Sequence, residues 1–226
     1  MAAFHPRPED LPSEFAVFPL PGALLLPRGK LPRGKLPLNI FEPRYKAMVE
    51  DALGAGRMFA MIQPDPTQPE TPNGPGLFHV GCLGRLSSFS ETEDGRFLIT
   101  LTGVARFRVA QELATRNGYR RVRADYTPYR ADLDLAPRNL GLDREAFLAA
   151  LKAYFSQRGV DANWDAIHRM DDDTLVVTLG MACPFEPAEK QALLEAPSEA
   201  DRAAILLALL QMGAAGPDLP PGRVVS

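Results

Sequence analysis

Apolar and polar positions along this chain of 226 residues follow two different periods, and the change between them falls once, near residue 140. Before it the dominant spacing is two, as in strands that turn successive side chains to opposite faces. Phe15 to Phe18 forms a first short run, and Leu36, Leu38 and Ile40 alternate in a second. Arg57 to Gln63 (RMFAMIQ) reads as a buried strand. Leu77 to Phe89 and Phe97 to Val109 follow, joined at Glu93-Asp94-Gly95, a hairpin signal. In the later strand Phe97, Ile99 and Leu101 share one face, while Arg106 and Arg108 alternate with Phe107 and Val109. Tyr119 to Tyr129 alternates again. One helix interrupts the series. Pro43 suits a first helical turn, Tyr45, Met48, Val49, Ala52 and Leu53 recur at helical spacing, and Gly54 is placed to end it. Several short strands with one helix between them predict a small closed, or nearly closed, barrel.

From about Leu140 the period is helical. Asp143 is placed to cap a helix carrying Phe147, Leu148, Leu151, Tyr154 and Phe155 on one stripe, with Gly159 ending it. Asp161 to Met170 predicts a short helix presenting Trp164 and Ile167. Asp172 or Asp173 can cap Thr174 to Ala182, and Pro187 opens another helix through Glu195. Ser198 and Asp201 have capping-box spacing before Ala203 to Met212, with Gly213 as the stop. Short loops between these helices predict a bundle.

An apolar content of 46% is enough for a real core. Proline is concentrated early, with 14 of 22 in the first 75 residues, which excludes an N-terminal bundle and suits strands joined by turns. Charge divides with the period: residues 1–130 carry a net +4 and residues 131–226 a net −7, consistent with two parts of different surface. The N-terminal stretch MAAFHPRPEDLPSEF lacks the basic flank and apolar core of a signal peptide, and Ala203 to Leu210 is too short to span a bilayer. Cys82 and Cys183 lie far apart and suit a reduced, cytoplasmic protein.

Candidate chemistry is sparse. Gly29 to Lys35 spells G-x-x-x-x-G-K, yet Leu36 replaces the required Ser or Thr, Pro32 removes a cradling amide, and Leu36-Pro37-Leu38 cannot start a helix. The spacing is a by-product of a tandem LPRGK, Leu26 to Lys30 and Leu31 to Lys35, tolerable in a loop. Asp171-Asp172-Asp173 reads as a helix cap with two acids in the first turn. His79 and His168 have no third ligand beside them, so no metal site is expected. Ser87 and Ser88 lack a nucleophile elbow, so no catalytic residue is expected.

The run from Phe15 to Leu53, FAVFPLPGALLLPRGKLPRGKLPLNIFEPRYKAMVEDAL, resembles the start of the Lon protease N-terminal domain, with its FPL…P…PL.IFEPRY…MV…AL pattern. GCLGRLSSFSETEDGRFLITLTGVARFRV is similar to that family's later barrel strands, and PFEPAEKQALLEAPSEADRAAILLALL to the helical tail of stand-alone bacterial Lon-domain proteins. The resemblance implies an α+β fold: an N-terminal PUA-like small β-barrel with one inserted helix, followed by a C-terminal helical bundle. The corresponding boundaries are a flexible tail at 1–13, the barrel at 14–130, the bundle at 131–213 and a second flexible tail at 214–226. It also implies a non-catalytic polypeptide-recognition module of bacterial protein quality control, without cofactor, membrane or metal. Its partners are expected to be unfolded or specific polypeptides. The ATPase and Ser–Lys protease modules of full-length Lon are not expected within these residues, so an ATPase or protease partner would be a separate element. Candidate partner-binding residues are Leu24, Leu25, Leu26, Arg28 and Arg33, with the loop Pro64 to Gly76, expected to be mobile and exposed. Phe41, Glu42, Pro43, Arg44 and Tyr45 are expected to be structural, with Phe41 and Tyr45 buried and Glu42 or Arg44 holding the turn. Kinship with PUA folds leaves RNA binding as the alternative, through the basic residues between Arg28 and Lys46 and through Arg116, Arg120, Arg121 and Arg123.

Overall fold

The computed structural model describes residues 6–27, 34–134 and 140–215. Most of the LPRGK duplication and residues 216–226 of the expected C-terminal tail lie outside these. The chain divides into two compact units.

The first unit is built on six strands: β1 (Glu14–Pro19), β2 (Lys35–Ile40), β3 (Met58–Ile62), β4 (Val80–Glu91), β5 (Phe97–Arg116) and β6 (Tyr119–Asp125). Their order is β2-β5-β4-β3-β1-β6, and β5 pairs with β6 as well, so five of the strands close a barrel while β2 extends β5 at one end. Closure depends on the length of β5. Its first part pairs with β2 (Leu101 opposite Leu36) and its second with β6 (Val109 opposite Ala124). Register shifts between Leu83 and Gly84, and between Val109 and Gln111, let so long a strand bend. Only β1 and β3 run parallel, joined by a crossover that contains β2 and helix α1 (Pro43–Gly54). The barrel interior is filled by the period-two apolar set: Phe15, Val17, Ala60, Ile62, Leu83, Phe107 and Val122. Phe15 and Phe107 meet edge to face with centroids 5.0 Å apart.

Two expectations need correction here. Residues before Phe15 are not all a loose tail: Pro8–Asp10 forms a 3-10 turn held by Arg7, and Pro12 accepts a 2.9 Å hydrogen bond from the Tyr126 hydroxyl. The helical period did not mark the unit boundary either. Val177–Glu195 groups with the barrel, although it lies within 131–213. Helix α5 (Pro187–Glu195) supplies the reason. Its Gln191 side chain donates to the Val80 carbonyl at 3.1 Å, and Gln63 of the barrel donates to the Pro187 carbonyl at 3.0 Å. Lys190, buried, donates to the Gly22 carbonyl at 2.7 Å, and that burial lowers its pKa.

The described residues of the second unit are 140–176 and 196–215. Helix α2 (Arg144–Gln157) begins where Asp143 accepts from the Ala146 amide at 3.0 Å, and buries Phe147, Leu151 and Tyr154. Helix α3 (Trp164–His168) follows, and Arg144 gathers the carbonyls of Ile167, His168 and Met170 at its end. Helix α4 (Asp172–Ala182) is capped by Asp171, one residue earlier than expected, through the Thr174 amide at 2.8 Å. Asp172 and Asp173 then occupy its first turn. Ser198 and Asp201 form the expected capping box, the Ser198 hydroxyl donating to the Asp201 carboxylate at 2.6 Å, before helix α6 (Glu199–Ala215). This helix runs past Gly213 instead of stopping there. A Cβ on that glycine would lie 2.6 Å from Cε2 of Tyr154, so the glycine answers a close approach rather than a terminus. Among the described residues no helix is long and apolar enough to cross a membrane.

Candidate binding surface

The outer face of the β2–β5–β4 region carries the concavity of interest. Across it Pro37 stands opposite Thr100 and Thr100 opposite Ser88, while Asn39 stands opposite Leu98 and Leu98 opposite Ser90. These two rows share a face because alternate residues of a strand do. The row between them, Leu38, Ile99 and Phe89, belongs to the other face. The two outer rows, with Leu38 and Ile99 between them, line an open depression of about 410 Å³. Leu98 is 46% exposed, a cost ordinarily avoided for so large an apolar side chain. No side chain lining the depression is ionisable. β2 ends the strand order, so its outer edge has no strand partner among the described residues. Pro37 sits in the middle of β2, where a proline is tolerated only if its missing amide faces away from β5. The open edge therefore lacks a donor at its midpoint.

Sequence reasoning missed this surface, though its signal was present. Assigning Phe97, Ile99 and Leu101 to the inner face leaves Leu98 on the outer one, beside Thr100, where an apolar residue has no packing role.

The residues expected to bind a partner lie elsewhere. Leu24, Leu25 and Leu26 are buried rather than exposed, because the segment lies over Gly84 and Gly103 of the barrel. Arg28 and Arg33 fall outside the described residues. The loop after β3 is tied at several points: the Asp65 amide donates to the Gly76 carbonyl at 2.9 Å, and Arg120 donates to the Pro75 carbonyl at 2.6 Å. In the Phe41–Tyr45 turn, Tyr45 is buried with its ring 4.3 Å from that of Phe18, and Pro43 opens α1. Arg44 holds the turn by donating to Glu42 at 2.9 Å, and its guanidinium lies 4.5 Å from the Tyr45 ring centroid. Phe41 is the exception: it is 66% exposed, not buried. It follows Ile40, whose side chain takes the inward place at the strand end.

The second basic group is largely engaged. Arg116 pairs with Asp51 at 3.3 Å, Arg120 with Glu112 at 2.8 Å, and Arg121 and Arg123 both with Glu14. The hydrogen bond from Arg120 holds the Glu112 carboxyl below its ordinary pKa. Burial, with a 2.6 Å hydrogen bond to Asp51, pushes the Tyr119 hydroxyl up to about 12. Among the described residues no three His, Cys, Asp or Glu side chains are placed to hold a metal ion. Cys82 and Cys183 are both buried, and neither forms a disulfide.

Known proteins fall in line with this architecture. The family profile for the ATP-dependent protease La (LON) substrate-binding domain matches residues 14–212. A Lon protease of Desulfosudis oleivorans is 23% identical over 108 residues, which are 47% of this chain and 13% of that protease. The chain thus spans only a small part of that relative. A Lon N-terminal domain protein from Xanthomonas campestris superimposes with a TM-score of 0.55 at 22% identity, covering 86% of this chain and 97% of that one. The N-terminal domain of the Mycobacterium avium complex Lon protease gives 0.56 at 14% identity, covering 87% and 97%. At these identities the two structures share the fold.

Proposed function

The chain belongs to the Lon protease substrate-binding domain family, and we propose that it is a non-catalytic module that recognises unfolded or specific polypeptides in bacterial, cytoplasmic protein quality control. Hydrolysis and ATP use fall in this reading to separate ATPase and protease modules. The observation that carries it is the match to the substrate-binding domain family over residues 14–212, and the uncharged depression around Leu98 on the outer sheet face is the candidate surface. Polypeptide recognition asks for such a surface with a polar rim, and Asn39, Ser88, Ser90 and Thr100 supply the rim. Enzymatic chemistry asks instead for convergent titratable groups, and the depression has none.

RNA binding is the weaker reading. Arg116, Arg120, Arg121 and Arg123 spend their charge on Asp51, Glu112 and Glu14, which leaves little for phosphate neutralisation.

The test is fluorescence anisotropy with a labelled, permanently unfolded polypeptide (reduced and alkylated), set against the same polypeptide folded. Saturable binding of the unfolded form alone is expected. No binding above background by a chain with a native circular-dichroism spectrum would overturn the reading, as would a tighter, steeply salt-dependent complex with RNA.

A further inference from the structure

We infer that the depression reads a side chain rather than a backbone: its ligand is a short, extended, uncharged polypeptide segment that seats one bulky apolar side chain against Leu98. This rests on the polypeptide reading above and specifies how the polypeptide is held. Size argues against a second copy of the chain as the occupant of the depression alone. Eight residues line the depression, whereas a stable protein pair engages about 20–30 on each side. Its volume of about 410 Å³ lies low in the ~300–1,000 Å³ range of sites for small ligands. Charge narrows the class further. With no ionisable group in the lining, neither phosphate nor a carboxylate-rich segment finds a counter-charge there, and desolvating one would go uncompensated. The neutral donors and acceptors around Leu98 match the amides and hydroxyls of an uncharged segment.

The edge of β2 decides between side chain and backbone. An extended peptide beside an open sheet edge ordinarily binds by adding a strand and takes its affinity from main-chain hydrogen bonds. Here Pro37 removes the donor at the middle of the six-residue strand, and Lys35 places a charge at its start. Proline and lysine on an edge are the usual devices that prevent strand addition. With that route blunted, the affinity has to come from the exposed leucine. Phe41, also exposed, lies two residues beyond Asn39, just past the end of β2.

Labelled eight-residue peptides with a central Leu flanked by Ala, Ser and Thr test this against the intact chain. Replacing the central Leu by Ser is expected to weaken binding at least tenfold, whereas N-methylating alternate backbone amides changes it less than twofold. Leu98→Asp is expected to weaken the parent peptide at least tenfold with an unchanged circular-dichroism spectrum. If that variant loses its native spectrum, Leu98→Ser with the same peptide series decides the point. The inference is overturned if N-methylation abolishes binding while the central side chain is immaterial. It is also overturned if either folded Leu98 variant binds the peptide as wild type does, or if the peptides fail to bind a chain that still captures the unfolded polypeptide. A wild-type chain that captures no unfolded polypeptide sinks the underlying reading as well.

Discussion

The backbone of Leu26 crosses Gly103 so closely that a Cβ on that glycine would stand 2.7 Å from the Leu26 carbonyl carbon. Gly84, the partner of Gly103 across the β4–β5 ladder, is covered in the same way, its absent Cβ lying 2.8 Å from Cδ2 of Leu25. Two facing glycines thus make a saddle for the Leu24–Leu26 segment. Gly103→Ala has to displace backbone, not a flexible side chain, and is expected to cost ~3 kcal/mol, the upper part of the overpacking range. In a chain of this size that lowers Tm by about 6–12 °C. A shift under ~2 °C in differential scanning fluorimetry would show that the segment is not seated there.

Arg106 and Asp132 form a second joint, deep in the first unit. The pair is 2.7 Å apart with both side chains 4% exposed, and Arg106 also donates to the Leu194 carbonyl of α5 at 3.0 Å. Its guanidinium lies 4.6 Å from the centroid of the Tyr129 ring. Asp132→Ala strands a buried cation and is expected to cost ~3–5 kcal/mol, whereas Arg106→Met with Asp132→Leu recovers most of that loss. Urea melts of the two variants measure the difference. Equal losses in both would mean that the pair holds α5 in a way an apolar pair cannot replace.

What could be read in the sequence was whatever period and capping express locally. The strands, α1 and the caps at Asp143 and Ser198 follow from spacing between near neighbours, except that β6 ends at Asp125 and Thr127–Leu133 forms a 3-10 turn where alternation up to Tyr129 suggested strand. Contacts between distant residues had no such expression. Leu24, Leu25 and Leu26 look like an exposed apolar run until Gly84 and Gly103 are known to face them. α5 has the helical period of the second unit but joins the first through Gln63, Val80 and Gly22, partners more than one hundred residues away. The candidate surface was hidden for a related reason. Pro37, Leu98 and Ser90 come together only through the registers of β2 with β5 and of β5 with β4.

Phe41 and Tyr45 differ in a way that their shared motif does not suggest. Tyr45 is 7% exposed against Phe18, and Phe41 is mostly in solvent. Tyr45→Ala is expected to cost ~3–5 kcal/mol as a core truncation. Phe41→Ala is expected to stay within ~0.5 kcal/mol of wild type, as surface changes do. Thermal melts of both variants check the contrast. A Phe41→Ala loss as large as that of Tyr45→Ala would place Phe41 in the core after all.

Glu112 and Arg120 give the fold a dependence on acid. Glu112 is held below its ordinary value of 4.5 mainly by the hydrogen bond from Arg120, with burial opposing and Asn73 assisting. A carboxyl whose folded pKa is lowered binds fewer protons folded than unfolded as the pH falls past 4.5. Its contribution to stability is therefore complete above that pH and is lost as the pH drops through the folded value. Arg120 is almost wholly buried and keeps its bond to the Pro75 carbonyl, so Glu112→Gln leaves it only partly satisfied. The expected cost near neutral pH is ~1–2 kcal/mol, which is about 2–8 °C in Tm. Because the variant has no carboxyl to protonate, its deficit relative to wild type should shrink as the pH falls below 4.5. Melting curves at a series of pH values between about 3 and 7 measure it, and a deficit that stays constant across that range would show that the pair does not carry this acid sensitivity.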